Sequence, residues 1–283
     1  MKLLRVGARG AERPAVLDAG GIARDVSGIA GDFGPAFFAG DGPRQVAAAL
    51  SRGGLPQADA SGRIGAPIAR PGKIVCIGLN YSDHAAETGQ APPARPVMFM
   101  KDPATVVGPY DDVLIPRGSV KTDWEVELGV VIGSRARYLD SPAAGLAAVA
   151  GYVISHDVSE RAFQLELSPQ WDLGKSCETF NPLGPWLLTA DEVADPQSLG
   201  LRLMVNGRKR QDGSTANMIF GVGYLIWYLS QYMVLEPGDL LNTGTPAGVA
   251  LGLPDHPYLR AGDRVRLEID GLGHAEQRFV AAD

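Results

Sequence analysis

"TDWEVELGVVIG", residues 122–133, places two carboxylates, Glu125 and Glu127, one residue apart at the entrance to an apolar run. That run has the continuous hydrophobic character of a strand covered on both faces. Side chains two apart on a strand project from the same face, roughly 6 to 7 Å apart at the backbone, so the two acids stand side by side. An isolated Glu-x-Glu is most often a solvated strand edge. Here a buried strand follows, where unpaired carboxylates are costly. A divalent cation would resolve the conflict, and a hard cation such as Mg²⁺ takes oxygen ligands and keeps positions open for water or substrate.

On the N-terminal side, "KIVCIGL" (73–79) reads as another buried strand. "VELGVVIG", "GYVIS", "GPWLLT", "LRLMVNG", "DLLNTG" and "RVRLEIDG" then follow as strands between Gly and Pro turns. "EPGDLL" (236–241) and "RAGDRV" (260–265) look like two uses of one turn-into-strand device. The 36 Gly and 21 Pro suit a chain with many sharp corners, and strands so unevenly spaced do not form a regular βαβ repeat. The expected class is α+β, mainly β, with a few helices. Composition shifts near residue 70, which divides the chain into a small N-terminal domain at 1–65 and a larger one at 66–283 that opens on the linker "APIARPG".

With 283 residues and 45% hydrophobic content the chain can build a real core. Its 26 Lys and Arg against 32 Asp and Glu, without a basic run, exclude a nucleic-acid partner. Cys76 and Cys177 match neither a zinc spacing nor a disulfide framework, so both read as buried thiols in a reducing compartment. "MKLLRVGARG" at the start lacks the apolar core of a secretory signal, so a cytoplasmic location is expected. "MIFGVGYLIWYLSQYMVL" (218–235) carries no formal charge over a length that could span a bilayer. It contains Gly221, Gly223, Ser230 and Gln231, and no second such segment exists, so it reads as a helix buried in the core or in a subunit interface, with no membrane partner.

A metal held by Glu125 and Glu127 needs a third carboxylate. "AGYVISHDVSERAFQLEL" (150–167) offers Asp157, at the end of a strand and the start of an apparent helix, with Arg161 and Gln164 following at i+4 and i+7 on one face. The spacing leaves a plainer reading open, in which Asp157 or Ser159 caps the helix and Arg161 pairs with it. In "LNYSDHAAETG" (79–89), His84 and Glu87 fall at i, i+3 on a helical turn closed by Gly89. A carboxylate beside an imidazole raises its basicity and orients it, which makes a general base for water, although such a pair is also common on exposed helices. The flanking "GQAPPARP" (89–96) suggests a mobile lid. His156 points away from Asp157 on strand alternation and takes no role. "WDLGKSCETF" (171–180) contains Lys175, either an ordinary surface lysine or a cation that stabilises an enolate or oxyanion. "NTGTPAGV" (242–249), with Thr243 and Thr245, could hold a carboxylate by backbone N–H and hydroxyl donors. It lacks the lysine of a nucleotide-binding P-loop.

Taken in order, "GLNYSDHAAE", "KTDWEVELGVVIG", "SHDVSERAFQ", "GKSCETFNPLGPW" and "LEPGDLLNTGTPAGV" resemble the fumarylacetoacetate hydrolase family over about residues 70–280. The resemblance implies a C-terminal mixed β-sandwich roll, a homodimer and a Mg²⁺ or Mn²⁺ site. It implies Glu125, Glu127 and Asp157 as metal ligands, and His84 with Glu87 as a water-activating dyad. Lys175 would stabilise negative charge, and Arg161, Gln164 and Thr245 would line the substrate site. Within the family the whole-chain pattern is most similar to bacterial members that cleave 2,4-diketo-3-deoxy sugar acids such as the L-rhamnonate derivative. The expected activity is therefore metal-dependent hydrolysis of a C–C bond in a 2,4-diketo acid, releasing pyruvate and a second acid. Two alternatives use the same residues. One is an oxaloacetate decarboxylase or hydroxydienoate isomerase, which needs no attacking water; the other is a diketo-acid-binding protein without turnover. A serine hydrolase is disfavoured, since no Gly-x-Ser-x-Gly elbow occurs.

Overall fold

Val126–Ile132 is a seven-residue strand buried along its whole length. Strand alternation divides its side chains between two cores. Val126, Leu128, Val130 and Ile132 enter one, while Val131 enters a second with Phe33, Ile74, Cys76 and Val153. Glu127 opens that second face. The computed structural model in which these contacts are seen describes residues 1–87, 91–167 and 169–283.

All seven apolar runs quoted above form strands. Val126–Ile132 pairs antiparallel with Val149–His156 on one side and with Leu240–Asn242 on the other. Leu240–Asn242 runs parallel to Ile74–Gly78, which in turn pairs antiparallel with Val97–Lys101. Beyond Val149–His156 come Leu187–Thr189, Lys2–Val6, Arg13–Leu17 and Ala23–Asp25, and Ile64–Gly65 pairs with Lys2–Val6 off this path, giving a mixed ten-stranded sheet. The first strand joins it through Lys2 opposite Leu188, so the start of the chain extends the same sheet. Leu3 and Val16 share the second core with the central strands.

A five-stranded sheet lies over the first core, in the order Arg208–Ser214, Gly200–Val205, Arg264–Ile269, Gly273–Ala281, Val113–Ile115. Its strands alternate, with Leu201, Leu203, Val205, Val265, Leu267, Ile269 and Phe279 turned inward, as one solvated face requires. The result is the mainly β sandwich with mixed sheets expected from the sequence. The two turn-into-strand motifs share one geometry. In the first, Asp239 accepts from Glu236 N–H at 2.7 Å and returns its own N–H to Glu236 O at 3.0 Å. In the second, Asp263 accepts from Arg260 N–H at 2.7 Å and returns its N–H at 3.1 Å. A glycine at positive φ, Gly238 or Gly262, makes the corner in each.

One sequence expectation holds in shortened form and another changes. The uncharged stretch 218–235 contains only a nine-residue helix, Val222–Ser230, which buries Val222, Leu225, Ile226 and Leu229 in the first core. No helix among the described residues is long and apolar enough to cross a membrane. Of the two free cysteines, Cys76 is buried but Cys177 is partly exposed, because it lies in the loop after the short helix Asp172–Lys175 rather than in a strand.

Candidate active site

Sheet register assembles three carboxylates that are far apart in sequence. Val126 lies opposite His156 and Glu127 opposite Ser155. One residue beyond the pairing, Asp157 donates its N–H to Glu125 O at 3.1 Å. Asp157 and Glu125 therefore share the face that Glu127 opens. One oxygen from each of the three lies within 4.8 Å of the others, and all three residues are buried.

Three cations surround them. Lys175 Nζ donates to Glu125 Oε2 and Asp157 Oδ2, both at 2.8 Å. Lys101 Nζ donates to Asp157 Oδ1 at 2.5 Å and to Val158 O at 3.1 Å. Arg161 bonds Glu125 Oε1 at 2.6 Å and Asp123 Oδ2 at 2.8 Å. Glu127 accepts from Gly244 N–H at 2.8 Å but forms no ion pair among the described residues.

The protonation states follow from this asymmetry. Burial pushes Glu125 up, yet Lys175 and then Arg161 outweigh it and hold the carboxyl well below the usual range. For Glu127, burial and then repulsion from Asp157 and Glu125 act together and hold it well above that range. Burial would lower Lys175, but Asp157 and Glu125 keep its ammonium charged. An unpaired buried charge costs several kcal/mol. A convergent set of hard oxygen donors, one of them without a counter-charge, fits a divalent metal ion.

The remaining sequence candidates gather around this cluster. His84, Arg161, Gln164, Lys175 and Thr245 line one cavity of about 100 Å³ together with Glu125 and Glu127. Arg161 and Gln164 sit on one turn, with the guanidinium 2.9 Å from Gln164 Oε1. His84 lies on the helix Ser82–Glu87 with Nδ1 3.4 Å from Glu87 Oε2. Glu87 also accepts from Gly248 N–H at 3.0 and 3.1 Å, which ties the dyad to the loop after Leu240–Asn242. Gly89, and with it the start of the proposed lid, lies outside the described residues. His156 faces away, with Nδ1 2.9 Å from Gln277 Oε1, and burial lowers its pKa to about 4.

The apparent helix from Asp157 is a misreading. The helix is Arg161–Leu165, and Glu160 caps it by accepting from Ala162 N–H at 3.2 Å. Ser159 and Glu160 first pair with Asp123 and Thr122, which holds the chain extended past Asp157. Asp157, Arg161 and Gln164 thus converge through strand pairing, not along one helix face, and neither Asp157 nor Ser159 is the cap. The threonines of "NTGTPAGV" are also engaged differently. Thr243 Oγ1 donates to Leu128 O and Thr245 Oγ1 to Val126 O, each at 2.8 Å. These bonds clamp the loop to the central strand, and the carboxylate held by the loop's backbone is Glu127.

Three participants escaped the sequence reading. Lys101 is fully buried against Asp157. Its only local signal is its place at the end of the apolar run "VMFMK". Asp123 accepts from Arg161, from Ala250 N–H at 2.7 Å and from Leu251 N–H at 3.0 Å, and so orients the guanidinium and fixes one wall. Gln211, from the second sheet, accepts from Val126 N–H at 2.9 Å and donates to Thr245 Oγ1 at 2.8 Å.

Comparison with known proteins gives a consistent picture. The model of the fumarylacetoacetate (FAA) hydrolase C-terminal domain matches residues 73–280. A Burkholderia multivorans protein, provisionally named a hydrolase, is 50% identical over 283 residues, with 100% of both chains covered. The fumarylacetoacetate hydrolase from psychrophilic Exiguobacterium antarcticum superposes with a TM-score of 0.88 at 34% identity over 100% of both chains. The maleylpyruvate hydrolase from Sphingobium sp. SYK-6, solved with manganese(II) and pyruvate, superposes with a TM-score of 0.81 at 27% identity, again over 100% of both chains.

Proposed function

The chain belongs to the fumarylacetoacetate hydrolase family, and we propose that it cleaves the C3–C4 bond of a 2,4-diketo acid (an acylpyruvate) with water. The observation that carries this reading is that His84, paired with Glu87, lines the same cavity as Glu125 and Glu127. A decarboxylation or isomerisation at the same site has no water to activate.

Glu87 holds Nδ1 of His84, so Nε2 takes the proton from water. The oxygen adds to the C4 carbonyl carbon and the C3–C4 bond breaks. The electron pair leaves on the pyruvate enolate, and the proton returns to C3. The products are pyruvate and the carboxylic acid of the acyl group. Lys175, buried and charged, offsets the negative charge that develops on oxygen, and Arg161 with Gln164 orients the substrate. A divalent cation, Mg²⁺ or Mn²⁺, held by Glu125, Glu127 and Asp157 would supply Lewis acidity toward the substrate's oxygens. The manganese(II) and pyruvate bound by the Sphingobium protein support the metal and product classes. Motif similarity alone would make the acyl group a deoxy sugar chain.

The test is His84→Asn in the metal-loaded enzyme. Removing a general base lowers kcat by about 10²- to 10⁴-fold. Acylpyruvate hydrolysis should fall in that range while a 2-keto acid still binds. Undiminished turnover would contradict the water-activating role and favour decarboxylase or isomerase chemistry.

A further inference from the structure

The cavity sorts polarity by depth. Every polar residue that lines it among the described residues is at most 8% exposed, His84 being the most exposed of them. The described lining positions that reach solvent are Gly78, Leu79, Leu165, Trp171 and Leu251, all apolar. The apolar wall starts at the charged floor. Lys175 Nζ lies 4.9 Å from the Phe99 ring centroid, and Phe99 meets Trp171 edge-on with centroids 5.5 Å apart. Trp171 covers Gly78 so closely that a Cβ there would stand 2.6 Å from the indole. The two lining cations, Arg161 and Lys175, are both at the floor and both paired with carboxylates.

Building on the acylpyruvate reading, we propose that the acyl group R in R–CO–CH₂–CO–COO⁻ is apolar, an alkyl or aryl group that lies on the Phe99–Trp171 wall and leaves past Leu165 and Leu251. The charged floor takes the diketo acid. A polyhydroxylated chain would lose water against carbon, at a cost of roughly tenfold in binding for each hydroxyl left without a partner. A second carboxylate at the far end would meet no cation among the described lining residues. Each methylene laid on the wall improves binding by about fourfold. The wall therefore selects against the sugar acid that motif similarity implies.

The experiment has two arms on the metal-loaded enzyme. In the first, kcat/KM is measured for acetylpyruvate, hexanoylpyruvate and a 2,4-diketo-3-deoxy sugar acid. Hexanoylpyruvate should exceed acetylpyruvate by at least tenfold, and the sugar acid should fall at least tenfold below acetylpyruvate. Trp171→Gln should narrow the hexanoyl-to-acetyl ratio to below threefold. In the second, calorimetry compares binding of 2-oxooctanoate and 2-keto-3-deoxygluconate, neither of which has the diketo bond. The former should bind at least tenfold more tightly. If acylpyruvates are cleaved but the sugar acid is as good a substrate or ligand, or if Trp171→Gln keeps the ratio, the apolar assignment falls and the hydrolase reading stands. If no diketo acid is cleaved while 2-oxooctanoate still binds more tightly, the hydrolase reading falls and the apolar assignment stands.

Discussion

Glu127 and Lys101 occupy opposite electrostatic positions in one cluster. Asp123, Glu125, Glu127 and Asp157 face Lys101, Arg161 and Lys175, and the acid left over is Glu127. Its carboxyl is held toward the neutral form in the metal-free protein, so an amide is a close substitute there. Glu127→Gln should leave metal-free stability within about 1 kcal/mol of the parent, since a neutral carboxyl and an amide carry the same charge there. The same change should abolish Mn²⁺ binding in a calorimetric titration. Lys101→Met strips a fully buried aspartate of one of its two cations and should cost about 3 kcal/mol in urea denaturation with chelator present. Equal destabilisation by both variants would contradict the assignment of Glu127 as the surplus charge.

Among elements, two short helices meet closely in the site. Asp172–Lys175 carries Lys175 and packs on Arg161–Leu165, which carries Arg161 and Gln164. Gly174 sits at the crossing, where a Cβ would stand 2.4 Å from Glu160 O and 2.5 Å from Gln164 Cβ. Backbone on one side and a buried side chain on the other leave little room to yield. Gly174→Ala should cost about 1 to 3 kcal/mol and, by moving Lys175, should lower kcat by at least tenfold. Steady-state kinetics beside a denaturation curve would separate the two effects; an unchanged kcat would mean that the helices adjust without moving Lys175. This crossing also marks what could be read without a structure. The strands were legible because each is a local apolar run, and Glu125, Glu127 and Asp157 because they flank such runs. The contacts that complete the site are long-range. Lys101 meets Asp157 across 56 residues and Gln211 meets Val126 across 85, with no local pattern to announce either. The helix start was misplaced for a related reason. "HDVSE" has the composition of a cap, but pairing of Ser159–Glu160 with Thr122–Asp123 overrides it.

For the whole molecule, alkaline pH provides a test of core packing away from the site. Tyr152, on the strand Val149–His156, is pushed from an ordinary 10 to about 12 by burial and then by Asp195. A folded-state pKa above the unfolded one means that the contribution is complete below pH 10 and is lost as the pH rises toward about 12. The loss should be on the order of 1 to 2 kcal/mol. Tyr152→Phe should flatten the fall in stability over that window; an unchanged profile would place the alkaline sensitivity elsewhere. The two cores and the sheet register together build the catalytic site itself. Its most direct test is to strip the purified protein with chelator, add acetylpyruvate with and without Mg²⁺ or Mn²⁺, and follow the enol absorbance while assaying pyruvate. Pyruvate should be released only when metal is restored. Pyruvate release at the same rate without metal, or none with it, would overturn metal-dependent acylpyruvate hydrolysis at this site.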